Sequence, residues 1–364
     1  MSGGRSQDAP GWARHLYQHQ ARHLRASMPL EQAISSAPPG FEHVGARLLA
    51  DIATLPCDLY IWRGPRPVLY AAGGGDLRKV VARTQHGMSF LVRDVDSDLL
   101  RGALAASLPD VLENRGVPAL DRSKTAYSIA AKVLAPIFGH DRALDHDRLM
   151  LAQQTIDTIT GCLLGDDDLV WAMVATMPKQ IAAHTHALNT AVYGIALALA
   201  MRLGNAAQIE DLARGALLHD LGKARVPKAI LDKPASLNEA EWQVMRGHVK
   251  AGYEMVIRAL GYAPPYAHII AEHHERCDGS GYPGNRLPHQ VALDSQLVAV
   301  VDAFDALTSR RPYKAAVSAF EALRVMRVTM RGQFNDELIR EFIKLLGGWS
   351  SLNEDLSAAL RGAG

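Results

Sequence analysis

Residues Ala271 to Gly284 read A-E-H-H-E-R-C-D-G-S-G-Y-P-G, two adjacent histidines running into a glycine-rich turn that closes on Tyr282-Pro283. Adjacent imidazoles flanked by Glu272, Glu275 and Asp278 form a donor set suited to Zn, Fe or Mn, since imidazole and carboxylate both ligate these metals. Gly279, Gly281 and Pro283 would stop a helix abruptly and throw the backbone into a tight, open loop. Taken alone, the stretch fits a surface histidine pair at a helix C-terminus equally well. Other residues have to decide.

His219-Asp220 follows the apolar run Ala216-Leu217-Leu218 and precedes Gly222-Lys223. Such a pair at the end of an apolar helix is costly to bury unless it is paired or metal-bound. His184 and His186 stand upstream, and His248, Asp302 and Asp305 stand downstream. Asp302 interrupts L-V-A-V-V-D-A-F-D-A-L, a run that should be core. Each of these residues alone is more often a hydrogen-bonded core group than a ligand. Together they put imidazoles and carboxylates on successive helices, which is how a bundle builds a dinuclear site from inward-facing side chains.

The elements that must position them follow from the rest of the chain. With 364 residues, 48% hydrophobic and 21% charged, the chain can bury a sizeable core, and length alone allows two to three domains. A net charge of +1 gives no reason to expect a nucleic-acid polymer or an anionic membrane as partner. Cys57, Cys162 and Cys277 are sparse and lack CxxC spacing, which fits a reducing cytoplasm. No apolar leader is visible at the N-terminus, and the apolar run Ala187 to Met201 is too short for a membrane span.

Residues 1–45 read as an N-terminal helix (Trp12 to Met28) and a linker, S-S-A-P-P-G. His15, His19 and His23 form one stripe of that helix, but no carboxylate shares it, so a solvated basic face is the simpler reading. Residues 46–105 read as a small α/β module, with strands over Asp58–Trp62, Val68–Ala72 and Met88–Arg93, a Gly73-Gly74-Gly75 turn and a helix from Leu77 to His86. Residues 106–180 read as a helical connector punctuated by Pro109, Gly116-Val117-Pro118, Pro136 and Gly165-Asp166. A signal or a homodimer contact can reside there, though nothing specifies either. Residues 181–350 read as an all-helical catalytic domain, with helices over 181–203, 207–221, 239–260, 265–277, 292–308, 319–330 and 335–346. The fold class expected is therefore mainly α.

H-D-L-G-K at 219–223, H-H-E-R-C-D-G-S-G-Y-P at 273–283 and D-A-F-D-A-L-T-S-R-R-P-Y-K at 302–314 resemble, in order and spacing, three blocks of the HD-GYP family. The resemblance covers about residues 181–346 and implies an all-helical HD-type bundle. It implies a metal-dependent phosphodiesterase acting on the bacterial second messenger cyclic di-GMP, giving pGpG or GMP. Two divalent metal ions, iron or manganese, are implied as cofactors. Carried over by position, the ligands fall on His186, His219, Asp220, His248, His273, His274 and Asp302. The resemblance prefers His186 to His184, which spacing alone would not do. It makes Asp220 the bridging carboxylate, with His186, His219 and Asp302 on one metal and His248, His273 and His274 on the other.

Catalytic parts are implied for Asp220, Lys223 and Asp305, the last in support, although Asp305 could as well cap or pair on its own helix. Lys223, Arg311, Lys314 and Tyr282 are implied to hold substrate. Ala182 stands where some family members carry a glutamate for a third metal, so a dinuclear site is expected. The loop after Pro283 is shorter than usual, and Gln296 replaces a common arginine. A different class of function stays open: a catalytically silent receptor for cyclic dinucleotides, or a module that docks a protein such as a GGDEF-type cyclase through Gly281-Tyr282-Pro283.

Overall fold

The computed structural model describes residues 37–63, 66–81, 89–139, 144–178, 182–310 and 316–347. The helix expected over Trp12–Met28, with its histidine stripe, and the substrate candidates Arg311 and Lys314 lie outside the described residues. The chain divides into two compact units, one up to Ser97 and one from Asp98.

The first unit is a four-stranded antiparallel sheet in the order β1-β4-β2-β3, from β1 (Phe41–Gly45), β2 (Leu59–Arg63), β3 (Arg66–Ala71) and β4 (Ser89–Arg93). The inner strand β4 buries three consecutive residues, Phe90, Leu91 and Val92, as expected of a strand covered on both faces. The edge strand β3 carries Pro67, whose missing N–H is tolerated at an edge. β1 adds a strand to the three expected. It is an edge strand that buries only Val44, so its sequence has almost no apolar alternation to notice. The triple glycine makes a turn in which Gly74, at φ +83°, donates to the Leu55 carbonyl at 2.8 Å. Helix α1 is Leu77–Val81.

The second unit is helical. Helices α2 (Ser97–Glu113), α3 (Ala119–Leu134), α4 (His146–Leu164) and α5 (Asp167–Thr176) form the segment read as connector. Pro109 does not end α2, as expected of it, but lies within it; buried Leu104, Leu108 and Leu112 anchor the turns around it, so packing overrides the local preference. Asp145 and Asp166 cap α4 and α5 by accepting from Arg148 and Leu169 N–H at 2.9 and 3.0 Å.

Then follow α6 (Ala183–Ala200), α7 (Ala206–Leu218), α8 (Lys228–Leu231), α9 (Glu239–Arg246), α10 (His248–Leu260), α11 (Ala267–Glu272), α12 (Leu293–Thr308) and α13 (Ala319–Arg324). The apolar run from Ala187 is buried within α6. Among the described residues no helix is long and apolar enough to cross a membrane. Several expected helices are shorter than their patterns. The stretch 207–221 ends at Leu218, 239–260 is broken at Gly247 into α9 and α10, the one from 265 stops at Glu272, and 319–330 gives way after Arg324 to a π-helical turn. The first three put a histidine at a helix end rather than inside it.

Candidate metal centre

His186 sits in the first turns of α6, His219 and Asp220 at the end of α7, His248 at the start of α10, His273 and His274 just past α11, and Asp302 within α12. Side-chain donors of these residues converge into two groups, His186-His219-Asp220 and Asp220-His248-His273-His274, with the ligating atoms of each group within 4.8 Å of one another. Asp220 belongs to both. Its Oδ2 lies 3.6 Å from His186 Nε2 and 3.4 Å from His219 Nε2, while its Oδ1 lies 3.3 Å from His248 Nε2 and 3.9 Å from His273 Nε2. Asp302 Oδ1 joins the first group, 3.0 Å from His186 Nε2 and 3.7 Å from His219 Nε2. His184 is in neither group, so the geometry separates the two upstream histidines that spacing could not.

One local device repeats. The Nδ1 atoms of His219, His248 and His273 each face the carbonyl three residues back, on Ala216, Met245 and Ile270, at 2.6, 2.7 and 3.0 Å. A carbonyl can only accept, so each Nδ1 carries the proton and each Nε2 is turned inward. These bonds are available because the histidines stand at helix ends, where backbone groups lack intrahelical partners. His186 reaches the same state differently, its Nδ1 donating to Asp305 Oδ2 at 2.7 Å. A carboxylate or carbonyl behind a ring nitrogen is the usual support of a metal-ligating imidazole. Asp305 therefore stands behind the His186 ring.

Glycines let the elements approach. A Cβ on Gly222 would stand 1.9 Å from the His248 carbonyl oxygen and 2.4 Å from Gly252 N, so only glycine lets the 3-10 turn Leu221–Arg225 lie against α10. That approach brings Asp220 to His248. On the far side, a Cβ on Gly281 would stand 2.3 Å from Arg276 N, which fixes the Gly281-Tyr282-Pro283 loop against the chain leaving α11.

The acidic neighbours of the histidine pair serve this loop rather than the centre. Glu275 accepts from Gly284 and Arg286 N–H at 2.6 and 2.9 Å, Glu272 accepts from the Arg286 guanidinium at 2.6 Å, and Asp278 accepts from Ser280 N–H at 2.9 Å. The Tyr282 ring lies over His274, centroids 4.6 Å apart, and the Arg246 guanidinium sits 5.7 Å from the Tyr282 centroid. Arg246 escaped sequence reading because a basic residue on an exposed helix face carries no signal of its own. Lys223, half-buried, forms an ion pair with Asp220.

The electrostatics suit cations. His219 and Asp220 are almost wholly buried, and His219 Nε2 and Asp220 Oδ1 make no hydrogen bond among the described residues, although they face one another's group. A buried carboxylate oxygen and a buried imidazole nitrogen with no such partner, aimed into one small volume, are what a metal ion would satisfy. The residues present fit a divalent metal in each group. Burial, reinforced by neighbouring histidines, holds the His273 and His274 imidazoles well below their ordinary value, so both are neutral with a lone pair to offer. Burial opposes charge on His219 too, but the adjoining Asp220 and Asp302 carboxylates outweigh it and raise that imidazole to about 10. His186 is raised in the same sense, burial being outweighed by Asp302 and Asp305. Burial works against the Asp302 and Asp220 charges, yet the imidazoles, joined at Asp220 by Lys223, keep both carboxyls well below the usual range.

Residues 168–338 match the family described as HD domain. A cyclic di-GMP phosphodiesterase of Pseudomonas aeruginosa is 32% identical over 196 residues, 54% of this chain and 47% of the relative. A 3'3'-cGAMP-specific phosphodiesterase of Vibrio cholerae is 34% identical over 186 residues, covering 50% of this chain and 40% of the relative. The cyclic di-GMP phosphodiesterase response regulator RpfG of Xanthomonas campestris is 39% identical over 130 residues, 35% of this chain and 34% of the relative. The chain thus spans less than half the length of these curated relatives. Among solved structures, an HDG"Y"P protein from Bdellovibrio bacteriovorus superposes with a TM-score of 0.63 at 16% identity, over 84% of this chain and 99% of that one, a likeness of fold.

Two outcomes follow from the geometry. Gly222→Ala should lose about 3 kcal/mol of stability, the upper end of the usual overpacking cost, since the added methyl meets backbone that cannot give way; a urea-unfolding midpoint equal to wild type would contradict the close approach. Metal affinity should rise with pH. Protonated His219 must release a proton to expose Nε2, and below its raised pKa that proton costs about tenfold in affinity per pH unit, with His186, raised in the same sense, acting in the same direction. Competition titrations with Mn(II) between pH 6 and 8 should therefore show affinity falling at least about tenfold for each unit of acidification. A flat profile would contradict the protonated resting state.

Proposed function

We propose that the HD domain at residues 168–338 is a metal-dependent phosphodiesterase that hydrolyses cyclic di-GMP to pGpG or GMP. The observation that carries this reading is the division of Asp220 between two ligand groups, one carboxylate oxygen turned to each. His186, His219 and Asp302 would hold one divalent metal ion and His248, His273 and His274 the other, with Asp220 common to both. When bound, two such ions supply Lewis acidity toward phosphodiester oxygens and lower the pKa of water. Iron or manganese is the pair's proposed identity, because imidazoles and carboxylates without thiolate suit both.

The chain's own residues would do the rest. The Nδ1 bonds hold the His186, His219, His248 and His273 imidazoles in one orientation, so these ligands need not reorganise as substrate arrives. Lys223 stands at the rim with its ammonium against Asp220 and part of its surface exposed, where a free donor can meet the scissile phosphate. Tyr282, stacked on His274, shapes the mouth and offers a face to a purine. Arg311 and Lys314 are proposed to hold the outer phosphates. Cytoplasmic placement, docking of a GGDEF-type cyclase at the Gly281-Tyr282-Pro283 loop and homodimerisation belong to the same proposal.

A second reading concerns the substrate. Relatives of similar identity are named for 3'3'-cGAMP as well as for cyclic di-GMP, and the second reading is that 3'3'-cGAMP is the preferred substrate. Protein purified without air and loaded with Fe(II) or Mn(II) should hydrolyse cyclic di-GMP faster than 3'3'-cGAMP, with products separated by chromatography. The reverse preference selects the second reading, and binding of both nucleotides without product leaves a silent receptor. Asp220→Ala should abolish turnover and empty both metal groups, read by elemental analysis; two metals retained per chain would contradict the shared role. Lys223→Ala should keep its metals and lose roughly 100-fold in kcat. An unchanged kcat would remove Lys223 from the phosphate.

A further inference from the structure

We infer that Tyr127, on α3 and outside the stretch matched as HD domain, is a positioning residue that holds His186 in its metal-binding orientation through Asn189 and Asp305. The inference rests on the reading of the two histidine groups as metal sites. Tyr127 is buried, and a buried phenol needs a partner for its O–H. Its hydroxyl meets Asn189 Oδ1 and lies 3.1 Å from the Thr185 carbonyl. Burial, with the Asp305 carboxylate nearby, holds the phenol well above its ordinary value, so it keeps its proton, and an amide oxygen facing it can only accept.

The direction of every proton in the relay follows. Asn189 Nδ2 faces two acceptors, the Pro178 carbonyl at 3.2 Å and Asp305 Oδ1 at 2.9 Å. That fixes the amide with its oxygen toward Tyr127, since the flipped amide would set oxygen against two oxygens. Asp305, with Oδ1 engaged by Asn189, presents Oδ2 to His186 Nδ1 at 2.7 Å and to Ser309 Oγ at 3.3 Å. His186 Nδ1 must then carry the proton, which leaves Nε2 as the nitrogen facing Asp220 and Asp302. Where His219, His248 and His273 use a backbone carbonyl three residues back, His186 turns its Nδ1 to the Asp305 carboxylate instead. The relay supplies this support, and its outermost member comes from the helical segment ahead of the matched domain.

The relay touches one metal group only, and this makes it testable. Mn(II) titration of the full chain should resolve two sites in wild type. Tyr127→Phe should weaken one of them by about tenfold or more, the range seen when support behind a metal-ligating histidine is removed. The other site and the thermal midpoint should stay close to wild type. Asn189→Ala, a helix-compatible change at the middle of the relay, should reproduce that selective loss, and the double variant should be no worse than the stronger single one. Wild-type affinity at both sites in either folded variant would overturn the inference while leaving the metal reading intact. Equal weakening of both sites, or additive losses, would reduce Tyr127 to a packing residue. A wild-type chain that binds no Mn(II) would overturn both.

Discussion

A carboxylate with almost no exposure to water, Asp220, is the constraint to which the surrounding structure answers. Burying such a charge is expensive unless partners are held around it, and here four imidazoles and an ammonium come within ion-pair distance. They come from α6, the α7 end, α10, the chain beyond α11 and the 3-10 turn. The close approach at Gly222 is part of the same solution, because only there can the 3-10 turn come near enough to α10 for one carboxylate to face both groups. Helix packing in this unit is arranged around a charge as much as around a core.

The division of labour among acids follows from position along the chain. Asp220, Asp302 and Asp305 sit on or beside buried helices and face imidazoles. Glu272, Glu275 and Asp278 sit at or beyond the end of α11, and the N–H groups of the following loop, with the Arg286 guanidinium, take them up. The same residue types thus build a ligand field on one side of the histidine pair and a rigid loop on the other. Tyr282 joins the two, its ring on His274 and its backbone N–H donating to the His274 carbonyl at 3.1 Å.

The histidines and aspartates of the centre were legible because buried ionisable residues interrupt apolar patterns that would otherwise be continuous. The mainly helical fold with a small sheet ahead of it was legible for a similar reason, the change of period from two to 3.6. What stayed hidden has physical causes. β1 is an edge strand with one buried residue and so little pattern. The break at Gly247 is invisible in a sequence whose apolar spacing continues across it, yet it turns His248 into a helix-first residue whose Nδ1 can reach Met245. His184 and His186 differ only in which way the start of α6 faces. Tyr127 and Asn189 are an ordinary aromatic and an ordinary amide until the fold brings positions 62 residues apart into contact.

The number of metal ions the centre could hold is itself a consequence of local structure. Four residues before His186, Ala182 is the N-cap of α6, and its backbone is occupied on both sides: its N–H meets Thr185 Oγ1 at 3.0 Å and its carbonyl accepts from the same hydroxyl at 2.8 Å. A methyl group there offers no ligand, and the capping hydroxyl of Thr185 is already engaged. The half of the centre around His186 therefore gains no further carboxylate from the start of its own helix. Its support comes from deeper in the bundle, through Asp305 and Asn189, at the cost of making that half depend on α3. His186, backed by a relay across helices where His219, His248 and His273 are each backed by a local carbonyl, is the imidazole whose position depends most on the packing of the bundle.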